Sequence, residues 1–438
     1  MKNQKVAIIT LGCSKNTVES ESVAGLFVKD GFLLTNDINC ADIILIHTCS
    51  FILDAQLESQ SQIERACLIK QKNQNLKVFV SGCLPQLLKE SMLKKYPLID
   101  GYVGTGSFGN IVHLIKKNKF FADTQCAGGM NDSRRRILSD NLPTTYIKIA
   151  EGCNHKCSFC IIPKLRGKYK SRTIKSVVDE AKALVDFGIK EINIIAQDTT
   201  TYGTDIYGKP RLDKLLQEIS KINNLKWIRL LYSYPSTVTS SLLETIYEHD
   251  NICNYIDIPV QHISKNILTD MNRPVNTRKI IENIKKKFPN IFLRTSLITG
   301  FPNETKKDFA ELEEFVKENW FEHIGIFGYS DQKAAGSFKF NNKIDKDIIE
   351  QRKQILANIQ FNNVIKNNSK KIGQNFEVLI ESIDNKKAYC RAYFQAPEID
   401  NNIIINVNNL KVGDFKKITV TGFKDYDLVG KQCTIWNV

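Results

Sequence analysis

Cys153, Cys157 and Cys160 lie in the run EGCNHKCSFCIIPKLRG, three cysteines within eight residues, and no fourth follows nearby. Thiolates at such spacing can wrap one corner of an iron–sulfur cluster. A structural zinc ion would want a fourth protein ligand to close its tetrahedron. Three ligands on a 4Fe–4S cube leave one iron open, and an open iron can bind a substrate. A chance cluster or part of a zinc knuckle is the plainer alternative.

Cys13, Cys49 and Cys83 form a second set. They are far apart in the chain, but each ends a predicted strand, in ITLGC, IHTC and VSGC. Ligands bind outside the carboxyl ends of strands in open α/β sheets. Three such cysteines would converge on one edge and build a metal site on rigid elements. Three buried core cysteines are the competing reading, a common fate for free cysteine. Cys40, Cys67, Cys126, Cys253, Cys390 and Cys433 share no address and read as structural. His155, inside the first cysteine run, and His47, before Cys49, could tune a cluster by hydrogen bonding. A solvent or core role is the simpler reading of each.

These residues need elements to position them. KVAIITLGC, ADIILIHTC and KVFVSGC read as strands, with helices after each, the last being PQLLKESMLKKY. Near-continuous apolar strands between helices indicate a parallel, doubly wound sheet. This first domain spans residues 1–121. Residues 122–142, with Gly128-Gly129 and Arg134-Arg135-Arg136, read as a linker. The next domain, 143–370, repeats a β/α unit about six times, with strands TYIKIAEG, EINIIAQD, KWIRLLYS, YIDIPVQH, IFLRTSLITG and HIGIFGYS. Active residues in β/α barrels sit at the carboxyl ends of the strands. After a helix at about 345–369, FEVLIESID, KKAYCRAYFQ, NIIINV, FKKITVTGFK and QCTIWNV are short strands separated by turns. They argue a small antiparallel β-barrel over 371–438. The fold class is α/β with a C-terminal all-β appendage.

The 438 residues suit two or three domains, and 42% hydrophobic with 25% charged residues marks a globular chain. The apolar run near Val6 is too short for a signal-peptide core, and no stretch is long enough to span a membrane. Twelve cysteines in a reducing cytoplasm point to metal or redox chemistry. The formal charge of +14 makes an anionic or ribonucleoprotein partner plausible. Residues 371–438 hold 9 Lys and Arg against 8 Asp and Glu, so the C-terminal barrel is near neutral.

The cysteine run and its flanks resemble the signature of radical S-adenosylmethionine (SAM) enzymes, which implies an open six-stranded β/α barrel. In that superfamily the open iron chelates SAM, and electron transfer cleaves it to a 5′-deoxyadenosyl radical. TLGCSKNTVESE, HTCSFI and GCLPQ resemble the cluster loops of the methylthiotransferases, and the C-terminal barrel resembles their TRAM domain. The likeness covers essentially the whole chain. IIAQDTTTYG, YIDIPVQH and RAYFQAPEID are similar to the RimO branch, which modifies the β-carbon of an aspartate in ribosomal protein S-twelve. The resemblance implies two 4Fe–4S clusters, one auxiliary on Cys13, Cys49 and Cys83, and one SAM-binding on Cys153, Cys157 and Cys160. It places Phe159 near the adenine, although aromatics usually just pack. Gln197 and Gln261, at strand ends, could hydrogen-bond SAM or be solvated. The partners implied are ribosomal protein S-twelve, in the small ribosomal subunit or free, and an electron donor. The alternative is a MiaB-type tRNA adenosine methylthiotransferase, which should carry a strongly basic RNA-binding module. A protein that binds RNA or ribosomes and merely stores clusters is a third class, and it needs no SAM. The acidic Glu398 and Asp400 are expected to help recruit a basic protein substrate.

Overall fold

The computed structural model describes residues 3–117, 119–124, 136–139, 143–407 and 409–433. Most of 122–142, including Cys126, Gly128, Gly129, Arg134 and Arg135, lies outside these.

The first unit is a six-stranded parallel sheet of β1 (Lys5–Thr10), β2 (Leu33–Leu34), β3 (Ile43–Thr48), β4 (Lys77–Gly82), β5 (Gly101–Val103) and β6 (Phe121–Asp123), in the order β2-β1-β3-β4-β5-β6. Successive side chains of a strand point to opposite faces. Ile44 and Ile46 of β3 accordingly join one apolar layer with Val78 and Val80, while Ile43 and Leu45 join the other with Val6 and Phe79. Burial on both faces explains the unbroken apolar run of this strand. The sequence signals only β1, β3 and β4; the other three strands are two or three residues long, too short for a pattern. The helix expected over PQLLKESMLKKY is two, Cys83–Leu88 and Ser91–Lys95, broken near Lys89, whose φ is 50°.

The second unit begins with β7 (Thr144–Lys148), β8 (Ala150–Glu151) and β9 (Lys170–Ser171), and continues with β10 (Glu191–Ile195), β11 (Trp227–Leu230), β12 (Ile252–Asp257), β13 (Phe292–Thr299) and β14 (His323–Gly328). The six expected strands pair in parallel in the order β14-β13-β12-β11-β10-β7. β7 and β14 do not pair with each other, so the barrel is open. The two-residue β8 and β9 pair antiparallel across the base of the loop that carries Cys153, Cys157 and Cys160.

The third unit is a closed barrel of β15 (Asn375–Asp384), β16 (Lys387–Ala392), β17 (Ile403–Asn406), β18 (Phe415–Lys424) and β19 (Asp427–Gln432). Its last strand lies upstream of the expected QCTIWNV, most of which falls outside the described residues. A turn at Asp425-Tyr426 closes a β18–β19 hairpin that the apolar end of the chain had masked.

Salt bridges lock this barrel to the second unit. Arg391 reaches Glu191 of β10 and Glu381 of β15, while Arg229 of β11 pairs with the same Glu191. Asp400 accepts a hydrogen bond from Tyr255 at 2.7 Å and pairs with Arg294 at 3.3 Å. The expectation that Asp400 recruits a basic substrate is therefore corrected, because its buried carboxylate is committed to the domain interface. Glu398 remains exposed and hydrogen-bonds the Tyr146 hydroxyl.

Candidate metal centres

Cys13, Cys49 and Cys83 meet at one edge of the first sheet. Cys13 caps the helix α1 (Ser14–Lys29), following β1. Cys49 follows β3, its N–H donating to Ser59 Oγ and its carbonyl accepting from that hydroxyl. Cys83 opens the helix Cys83–Leu88 directly after β4. The Asn16 amide donates to the carbonyls of Leu11 at 2.7 Å and Thr48 at 3.2 Å, tying the first two loops together. Their approach is close: a Cβ on Gly12, whose φ is 93°, would lie 2.5 Å from Cys49 Cβ and 2.8 Å from its Sγ.

Burial pushes the Cys83 thiol up to about 12, with Cys49 and Cys13 adding to the rise and Arg166 opposing it. Burial also raises Cys49. Thiols that resist ionisation, as Cys49 and Cys83 do, suit a cationic centre, which holds them as thiolates. The donor set thus fits an iron–sulfur cluster. Among the described residues no three His, Cys, Asp or Glu close round a single metal ion.

Cys153, Cys157 and Cys160 sit in the loop between β8 and the helix Ile162–Arg166. Gly152 has φ of 78°, and a Cβ there would lie 2.3 Å from the Lys168 carbonyl oxygen, so only glycine fits the entry to the loop. The Ile162 N–H donates to Cys160 Sγ at 3.4 Å. Burial raises Cys153 to about 11 and Cys160 to about 12. The same fit argument applies to Cys153 and Cys160.

The two sites adjoin. Ile161 and Leu165, just beyond Cys160, pack in one apolar cluster with Cys83 and Ala335. A buried ionic network spans the join. Glu19 of α1 binds Lys148, Arg166 and His47, while Glu151 binds Lys148 and Arg166. Arg166 also donates to Asn16 Oδ1 at 2.6 Å. Burial alone would raise the Glu19 carboxyl, but Arg166 and Lys148 hold it well below its ordinary range.

The remaining expected site residues fare differently. Gln197 donates to Glu151 Oε1 at 2.8 Å, while its own Oε1 is buried without a partner among the described residues. Gln261 has a left-handed φ of 71°, and its backbone bridges to β13. Phe159 packs against a cluster containing Ile267, Met271 and Phe301. His155 contacts Asp198 at 2.7 Å and stacks on Tyr234 in a half-buried position, and His47 lies buried between Ser81 and Glu19, so each is fixed in a polar contact. Sequence reasoning missed Lys15, Glu19, Lys148, Glu151 and Arg166. A charged residue inside an apolar strand run, such as Lys148 in TYIKIAEG, was the available signal.

Residues 147–316 match the Radical SAM superfamily, residues 5–104 match an uncharacterized protein family, UPF0004, and residues 372–432 match the TRAM domain. The chain is 50% identical over 436 residues to the ribosomal protein uS12 methylthiotransferase RimO of Endomicrobium trichonymphae, covering 97% of this chain and 98% of that protein. The protein of the same name from Aquifex aeolicus is 39% identical over 437 residues, covering 98% and 97% respectively. The radical S-adenosylmethionine methyltransferase TsrM of Kitasatospora setae shares the fold, with a TM-score of 0.57 at 13% identity over 76% of this chain and 74% of that one. Full-length coverage at such identity, on a fold that brings both cysteine triplets together, places the chain in the ribosomal protein uS12 methylthiotransferase RimO family.

Proposed function

We propose that this protein attaches a methylthio group to the β-carbon of an aspartate in ribosomal protein uS12, free or within the small ribosomal subunit, in the cytoplasm and with an external electron donor. The observation that carries this reading is the meeting of two cysteine triplets across one domain interface. Cys153, Cys157 and Cys160 would hold the SAM-binding 4Fe–4S cluster, and Cys13, Cys49 and Cys83 the auxiliary one. When bound, these clusters and SAM supply hydrogen abstraction and sulfur transfer. Gln197, with its free buried oxygen, and Gln261 are the proposed SAM-binding side chains, and Phe159 lines the same region.

The protein itself supplies orientation. Arg166 joins Asn16 and Glu19 of the first unit to Glu151 of the second, which fixes one cysteine site relative to the other. Apolar packing of Ile161 and Leu165 on Cys83 keeps water from the join. The division at 1–121, 143–370 and 371–438 is our proposed domain scheme. No helix among the described residues is long and apolar enough to cross a membrane.

The near-neutral C-terminal barrel favours a protein substrate over tRNA, since phosphate binding requires a basic surface. The deciding experiment uses the anaerobically reconstituted protein with SAM, a reductant, and either purified uS12 or tRNA. The expected result is a mass gain on the uS12 aspartate equal to one methylthio group replacing hydrogen. The same gain on tRNA adenosine, with uS12 unchanged, would establish the MiaB-type alternative.

A further inference from the structure

We infer that Lys15 grips the carboxylate of the substrate aspartate and so selects the residue that is modified; the inference rests on the protein-substrate reading above. Lys15 occupies the first turn of α1, two residues beyond Cys13. A helix amino terminus carries partial positive charge and disfavours a cation. Burial disfavours it as well, yet Lys15 is only 8% exposed. Its Nζ lies 3.3 Å from the centroid of the Tyr232 ring. Among the described residues Lys15 has no carboxylate partner, whereas the neighbouring buried cations Lys148 and Arg166 each bind Glu19 and Glu151.

Tyr232 lies just past the carboxyl end of β11, where β/α barrels place their reacting groups. Its φ is 63°, an uncommon conformation for a tyrosine. Backbone hydrogen bonds to Asp257 and Thr199 hold it there. Its N–H donates to Asp257 Oδ2 at 3.0 Å, and its carbonyl accepts from the Thr199 N–H at 3.0 Å. Such outliers cluster at functional sites. The ring is thereby fixed against the ammonium of Lys15, across the interface between the two cysteine-bearing units.

A ring face stabilises an ammonium but leaves its three N–H donors poorly satisfied. A carboxylate entering at the barrel mouth would accept charge-assisted hydrogen bonds from those donors, in a setting where water competes weakly. In an aspartate the carboxylate is bonded directly to the β-carbon. Holding one therefore orients the other, and it does so beside the helix turn that carries Cys13. An asparagine of the same shape lacks the charge and would be rejected.

The test compares reconstituted holoprotein binding to purified uS12 carrying either the natural aspartate or asparagine at that position. The wild type should prefer aspartate by at least about tenfold, the usual strength of one charge-assisted contact. Lys15→Met should abolish the preference, and Lys15→Arg should keep part of it, with iron content equal to wild type in both. Unaltered preference in Lys15→Met, with uS12 still the modified species, would overturn the assignment of Lys15 alone. If Lys15→Met fails to load iron, the wild-type comparison decides: equal affinity for the two forms of uS12 refutes the inference without any variant. Absence of uS12 binding together with methylthio mass on tRNA would instead remove the substrate reading beneath it.

Discussion

Arg166 holds Glu19 and Glu151 from two different folding units, and all three side chains are buried. Removing one partner of a buried ion pair leaves an uncompensated charge and costs about 3–5 kcal/mol. Arg166→Met should therefore lower stability by about that amount, read from denaturant midpoints. Adding Glu19→Gln should restore part of the loss, because without Arg166 the two carboxylates Glu19 and Glu151 share the single ammonium of Lys148. A single-variant loss below about 1 kcal/mol would show that the network is not what joins the units. Lys15 stands apart from this network, and that contrast is why it reads as a substrate contact. The cysteines were legible from spacing and from their places at strand ends. The charges between them were not, because a lone Lys or Glu in a sequence does not reveal what faces it.

Elements that end in cysteine owe their geometry to tight turns. At Gly12 a left-handed φ and the approach of Cys49 coincide, so any side chain there meets Cys49 Cβ and Sγ at once. Gly12→Ala should displace Cys49 and lower the iron loaded on reconstitution by roughly half, consistent with loss of one of two clusters. Full iron content in that variant would argue that Cys49 is not a ligand. Legibility followed element length. The strand ADIILIHTC announced itself by an apolar run buried on both faces, whereas Leu33–Leu34, Gly101–Val103 and Phe121–Asp123 carry too few residues for any pattern. The last strand was misplaced because aromatic and β-branched residues in QCTIWNV outweighed the turn signal at Asp425-Tyr426.

At the scale of the whole molecule, the motif RAYFQAPEID turns inward. Arg391 and Asp400 fasten the C-terminal barrel to β10, β12 and β13 through Glu191, Tyr255 and Arg294, so much of its charge serves assembly rather than recruitment. Burial would raise the Glu191 carboxyl, but Arg391 and Arg229 outweigh it and bring it from the ordinary 4.5 to about 2. A depressed carboxylate contributes stability above its unfolded value and loses it as pH falls toward the folded one. Unfolding midpoints should therefore drop as pH falls from about 5 to about 2, and Glu191→Gln should be less stable at neutral pH with a shallower acid slope. An identical slope in that variant would place the acid sensitivity elsewhere. The central claim is that the joined units act on uS12, and its most direct measurement is the mass of uS12 and of bulk tRNA from cells lacking this gene. In those cells uS12 should lose one methylthio group, the wild-type gene should restore it and a Cys49→Ala copy should not, and tRNA should be unchanged. A methylthio group lost from tRNA adenosine while uS12 stays the same would contradict the claim.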